Sequence, residues 1–200
     1  ASSVIIGGYA GDAITTGTGN VLVGDSAGGA ITTGGYNTFV GMQAGDALTT
    51  ASGVTCIGNA AGGAITTGAT NTAVGSQTLD ACTTGSGNTA MGNDAGGAIT
   101  TGTYNNFFGN SAGVATTTAS HVLGIGASAL VANTTGTQNV AVGNYSLDAC
   151  TTGNYNTALG VNAGGALTTG TNTVFIGTNA GVSQTTGYNN VIVGYNAGDS

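Results

Sequence analysis

The chain has 200 residues, of which 40 are glycine and none is proline, tryptophan, lysine or arginine; seven aspartates give a net charge of −7. Without cations to neutralise phosphates, the composition excludes nucleic-acid binding and disfavours anionic membrane surfaces. No apolar run approaches the roughly 20 residues that span a bilayer, so membrane insertion is not expected.

The first element in chain order, Val4-Ile-Ile-Gly7, sets the pattern for the rest. Its glycine recurs as Gly24, Gly41, Gly58, Gly75, Gly92, Gly109, Gly126, Gly143, Gly160, Gly177 and Gly194, always 17 residues on, so residues 1–200 read as a single repeat array with no separate domains. A strict short period is the mark of a solenoid, in which each repeat buries its apolar side against its neighbours. With this glycine as position 0, position −1 is apolar throughout and position −3 is mostly Val or Thr, a short strand by composition. Position +3 is nearly always Ala, +7 is usually Ile, Leu or Cys, and the string "GAIT" around them predicts a second short strand. Glycines at 0, +4 and +10 mark turns or close backbone approach. Position +13 is Asn in eight of eleven repeats: Asn20, Asn37, Asn71, Asn88, Asn105, Asn139, Asn156 and Asn190, a candidate hydrogen-bonded ladder from coil to coil. Helices are excluded because glycine interrupts every stretch of useful length.

The predicted fold is all-β: a parallel β-helix or β-roll solenoid with one 17-residue repeat per coil and about 12 coils, roughly 55 to 60 Å long, assembled side by side and end to end. Residues two apart in a strand share a face, and rows −1 and −3 are expected to face the core. Row −2 would then face outward. It carries Ile5, Leu22, Phe39, Cys56, Phe107, Phe175 and Ile192, with Ala or Gly elsewhere, and no charged or amide side chain. Such a stripe predicts an assembly face for identical chains, as in a trimer; the alternative is one wider core that takes in both faces of the strand. The phenylalanines at 39, 107 and 175 lie 68 residues apart, as do Asp12, Asp80 and Asp148. This four-coil beat suggests duplication of a block or a matching repeat in whatever packs alongside.

Little in the sequence carries chemistry. His121 is expected at an exposed turn. Asp12, Asp46 and Asp80 share position +5 but are separated by coils carrying glycine, too far apart for one calcium ion. Cys82 and Cys150 read as core residues too distant for a disulfide, whereas Cys56 on the outward stripe could bond to another chain. No metal site, cofactor or catalytic set is expected, and the protein is not read as an enzyme. The pair Thr-Thr at +8 and +9 recurs in every complete repeat, and only one row of each pair should face outward. Asparagine sequons occur only at Asn133 and Asn144.

The strings "NTAVGSQTLDACTTGSG" and "NTALGVNAGGALTTGT" resemble the 17-residue repeat arrays of phage and viral tail-fibre-like proteins and bacterial surface proteins, and more weakly the head repeats of trimeric autotransporter adhesins. The resemblance implies an extracellular, oligomeric β-fibre without catalytic residues, on a cell-surface appendage or a virion. The expected function is therefore the shaft of an extracellular filament or tail fibre, partnered by copies of itself. The alternative is a solenoid that binds ice or surface glycans through outward Thr and Asn rows.

Overall fold

In a computed structural model that describes residues 2–199, the chain is a β-solenoid with about 17 residues per turn and, among the described residues, no helix. Three-residue strands, β1 (Val4–Ile6), β2 (Val21–Val23), β3 (Thr38–Val40) and so on at every seventeenth residue to β12 (Val191–Val193), form one 12-stranded sheet in sequence order. Every pairing is parallel and in register, so that Leu22 stands between Ile5 and Phe39.

The "GAIT" segment is not a strand. The chain there folds into overlapping turns, closed by Ala27 N–H to the Gly24 carbonyl, Gly29 to Ser26 and Ile31 to Gly28. The third residue of each of the first two turns, at +2 and +4, has positive φ, as type II turns require. Glycine at +4 meets this at no steric cost, while +2 is often Asn, Asp or Ser, which tolerate the left-handed region. The side is nevertheless laddered. Ser26 donates to the Gly8 carbonyl of the coil before, and Gly28, Ala30 and Thr32 donate to Ala44, Asp46 and Thr49 of the coil after, at 2.8 to 3.0 Å. Backbone hydrogen bonding thus runs around the whole circumference although only three residues per turn are strand.

Position 0 explains the unbroken register. Its φ lies between 124° and 141°, and a Cβ at Gly24, Gly41 or Gly58 would stand on the carbonyl oxygen of the next glycine in the row. Only glycine allows coils to approach this closely there.

The interior reverses the expected parity of the strand. Leu22, Phe39, Cys56, Phe107 and Phe175 are completely buried, while rows −1 and −3 are half-buried or exposed. Ile5 and Ile192, on the first and last turns, point the same way: Ile5 converges with Ile14 and Leu22 around Gly11, and Ile192 packs against the core. Row −2 is therefore the core row and not an assembly face, and the wider core that would also enclose −1 and −3 is not formed either. The chain closes its coil on the −2 side, where Ile31 at +7 meets Leu22 and Phe39 beside Gly28.

The 68-residue beat is an internal packing pattern. Phe39, Phe107 and Phe175 fill the space left by glycines at +4; a Cβ on Gly45 would come within 2.5 to 2.8 Å of the Phe39 ring. Between them, Leu79 and Leu147 at +4 are buried opposite Ala73, Ala90, Ala141 and Ala158 at −2. Their coils carry Cys82 and Cys150 at +7 where Ile31, Leu48 and Ile65 stand elsewhere, so in these coils bulk sits at +4 and not at −2 or +7.

The asparagine row is a buried ladder. Asn20, Asn37, Asn71, Asn88, Asn105, Asn139 and Asn156 are wholly buried, and Asn190 on the last turn is partly so. Asn37 is typical: its Nδ2 donates to the Ala51 carbonyl at 3.1 Å, its Oδ1 accepts the Val54 N–H at 2.9 Å, and its own N–H donates to Asn20 Oδ1 at 3.0 Å. The amides bond chiefly to backbone; side chain to side chain, Asn105 Nδ2 donates to Asn88 Oδ1 within the row and Asn190 Nδ2 to Gln184 Oε1 outside it. They satisfy groups whose burial unpaired would cost about 1 to 3 kcal/mol each.

Candidate functional site

Among the described residues no cavity opens, and no group of three or more His, Cys or Asp side chains stands close enough to hold a metal ion. The outside of the coil presents three distinct surfaces.

The first is the outer face of the sheet, made by rows −3 and −1. Row −1 runs Ile6, Val23, Val40, Ile57, Val74, Met91, Phe108, Ile125, Val142, Leu159, Ile176 and Val193, apolar in every coil. Its members are half-buried or exposed; Met91 has 42% of its surface open and Leu159 50%. Row −3 beside it alternates between Val or Leu and polar Thr or Asn, including Thr38, Thr55, Thr72 and Thr89 in four successive coils. Met42 and Val161, exposed at +1, widen the apolar strip at its edge.

The second is the threonine side. Hydroxyls at +8 are tied to the next coil: Thr32 Oγ1 donates to the Thr49 carbonyl at 3.2 Å, Thr66 to Thr83 at 3.1 Å and Thr134 to Thr151 at 3.0 Å. Row +9, from Thr16 to Thr186, is exposed in every coil. One fully outward row per pair agrees with the strand-like alternation read from the sequence, although the segment is not a strand.

The third comprises the corners. Tyr36, Tyr104, His121 and Tyr155 share position +12 with φ near 60° and are exposed. His121 is the turn residue expected, and its ring stacks on Tyr104 with centroids 5.4 Å apart. Of the carboxylates, Asp25 and Asp94 lie at +1 and +2 and the other five at +5, so none belongs to row −1 or −3. Asp46 is held above the usual carboxylate range first by partial burial and then by Asp12 and Asp25. Burial also raises Asp80, with help from Asp94, and Asp148. In both of these, backbone N–H groups oppose the rise.

The cysteines offer no accessible thiol. Cys56 is buried in row −2, which removes the interchain bond that an outward position would have allowed, and Cys82 and Cys150 lie buried at +7. Burial pushes the Cys56 thiol up to about 12, with Cys82 adding to it, and Cys82 and Cys150 up to about 11. A thiol so protonated is a poor nucleophile. The sequon at Asn133 is likewise sealed, since Asn133 is wholly buried and its Oδ1 has no hydrogen-bond partner; Asn144 is exposed.

The exposed sheet face was missed by sequence reasoning, yet a signal was present. Thr38, Thr55, Thr72, Thr89, Asn106 and Thr157 at −3 are polar, and a strand's period of two places −1 on the same outward face. Comparison with models of protein families, with curated proteins and with solved structures finds no match to this chain.

Proposed function

We propose that the protein is a structural element, the shaft of an extracellular filament or tail fibre built from associating β-solenoid rods. The observation that carries this reading is the ladder that joins each coil to the next around its full circumference, through strand, turns, threonine hydroxyls and buried amides. A rod so constructed has its directional bonds along its axis, which suits a mechanical role. The repeat's resemblance to tail-fibre-like and surface-protein arrays supports the extracellular setting. Electron microscopy of the purified chain tests the reading: filaments several times longer than one rod of about 55 Å are expected, and discrete rods at every concentration would overturn it.

A second reading, recognition of ice or glycan, is favoured by row +9, a line of eleven exposed threonines at roughly 4.8 Å spacing. It is the weaker one because the neighbouring +8 hydroxyls already donate to backbone carbonyls, leaving a single free row. Thermal-hysteresis activity in discrete rods would decide for it.

A further inference from the structure

We infer that the outer face of the sheet, rows −3 and −1, is where a second copy of this chain docks; the inference rests on the reading above only in that the rods associate at all. The face has an asymmetry that solvent exposure does not explain. Both rows belong to three-residue strands and point away from the core, so β-propensity acts on both. Row −3 accepts Thr or Asn in half of the coils, as a solvated strand position does, whereas row −1 accepts no polar residue in any of twelve. Val, Ile, Leu, Met and Phe all occur there, so the common property is apolarity and not one shape.

Three features select a second copy as the occupant. The first is spacing: the row repeats at the strand separation of about 4.8 Å along the axis, and a copy of the same rod carries the same repeat, so its side chains can settle between these over the whole length. The second is charge. Each chain carries −7 with no cation, which opposes association in general, but the aspartates stand on the corner past position 0 and at +5. Two copies meeting across the sheet face therefore bring no carboxylate rows together, whereas contact through the +5 side would. The third is area: a strip about 55 Å long and about 11 Å wide covers about 600 Å² on each partner, or about 1,200 Å² in all, the lower end of what specific interfaces bury.

The experiment compares the unaltered chain with Met91→Lys/Ile125→Lys and with a control on the threonine side, Thr84→Lys/Thr118→Lys, by sedimentation equilibrium and electron microscopy. All four side chains point outward, and circular dichroism checks that the coils are intact. If the lysines disturb the strand, Met91→Thr/Ile125→Thr keeps its β-propensity while removing the apolar row. Lateral association is expected to weaken at least about tenfold in Kd in the row −1 variants and to stay within about twofold in the control. Bundles or pairs that persist in the row −1 variants overturn the docking face, as does disruption by the control alone or an unaltered chain that stays single at about 100 µM. The two readings fail separately. Row −1 variants that give separated filaments of unchanged length uphold both, while rods that pair side by side yet never form filaments sink the shaft and leave the docking face standing.

Discussion

The coil around Phe107 and the coil around Leu147 solve one packing problem in opposite ways. In the first, the strand side is large and the turn side empty: Phe107 at −2 lies against Gly113, where any Cβ would collide with its ring, and against Gly124. In the second, the strand side is small, Ala141 and Ala158, and the turn side supplies Leu147, held at a φ of 49° that leucine seldom adopts. Backbone strain of order 1 kcal/mol is accepted there in exchange for a filled interior. The difference teaches that the bulk filling the core can come from the strand at −2 or from the turn at +4, and that the recurrence of phenylalanine every fourth coil reports on packing across the core.

Four substitutions or conditions break or sharpen this contrast. Phe107→Asp should have the largest effect: it buries a carboxylate in a chain that has no lysine or arginine to meet it, and a loss of more than about 5 kcal/mol is expected in denaturant unfolding. Intact coils in that variant would contradict the core assignment of row −2. Phe107→Ala should cost about 3 to 5 kcal/mol. Adding Gly113→Leu to it imitates the Leu147 arrangement and should recover about 1 to 3 kcal/mol, while Gly113→Leu alone, placed on the Phe107 ring, should destabilise. An additive cycle would deny that volume is exchanged across the core. Asn133→Leu removes a buried Oδ1 that lacks a partner, but it also removes the Nδ2 that donates to the Gly136 carbonyl and to Thr116 Oγ1; leaving these two buried acceptors without that donor should make the substitution destabilising, by about 1 to 3 kcal/mol in the same assay.

The smallest effects concern pH. The buried thiols titrate at about 11 to 12 in the folded chain, against roughly 8.5 when unfolded, so the unfolded chain releases their protons first. Their contribution is complete below about 8.5 and is lost as pH rises through about 11 to 12; replacing Cys150 with Ser or Val should flatten that fall, measured by melting at pH 8 and pH 11. Asp46, Asp80 and Asp148 are also raised, so their stabilising protonated form is gained on acidification. Melting temperature is therefore expected to hold or rise slightly from pH 7 toward pH 4, unlike the acid denaturation of proteins whose carboxylates are paired.

Much of this architecture was legible from residue order. The 17-residue spacing of Gly7 through Gly194 gave the coil, and Asn at +13 gave the ladder, because each requirement falls on one residue type with no substitute of equal geometry. The parity of the strand was not legible in the same way. Strings such as "VLV", "VII" and "VFI" are apolar at three successive positions, so they hold no alternation, and uniform apolarity at −1 looked more core-like than the mixture of Gly, Ala, Cys, Leu and Phe at −2. That mixture is itself the mark of an interior whose parts compensate one another. The absence of a second strand was also hidden, since the turns around +2 and +4 depend on φ values that Tyr9, Gln43 and Leu79 adopt against their usual preference.

The row of glycines at position 0 has a consequence for how such a molecule can change its length. Because the carbonyl of each seats directly against the glycine before it in the row, and the register is shared by strand, turns and amide ladder alike, inserting or deleting one residue would shift every contact downstream in its coil. Only whole multiples of 17 leave the ladder continuous, each adding about 4.8 Å. The gene behind this rod therefore behaves as a counter: its length is a number of copies, and natural variants of different size should differ by integral steps.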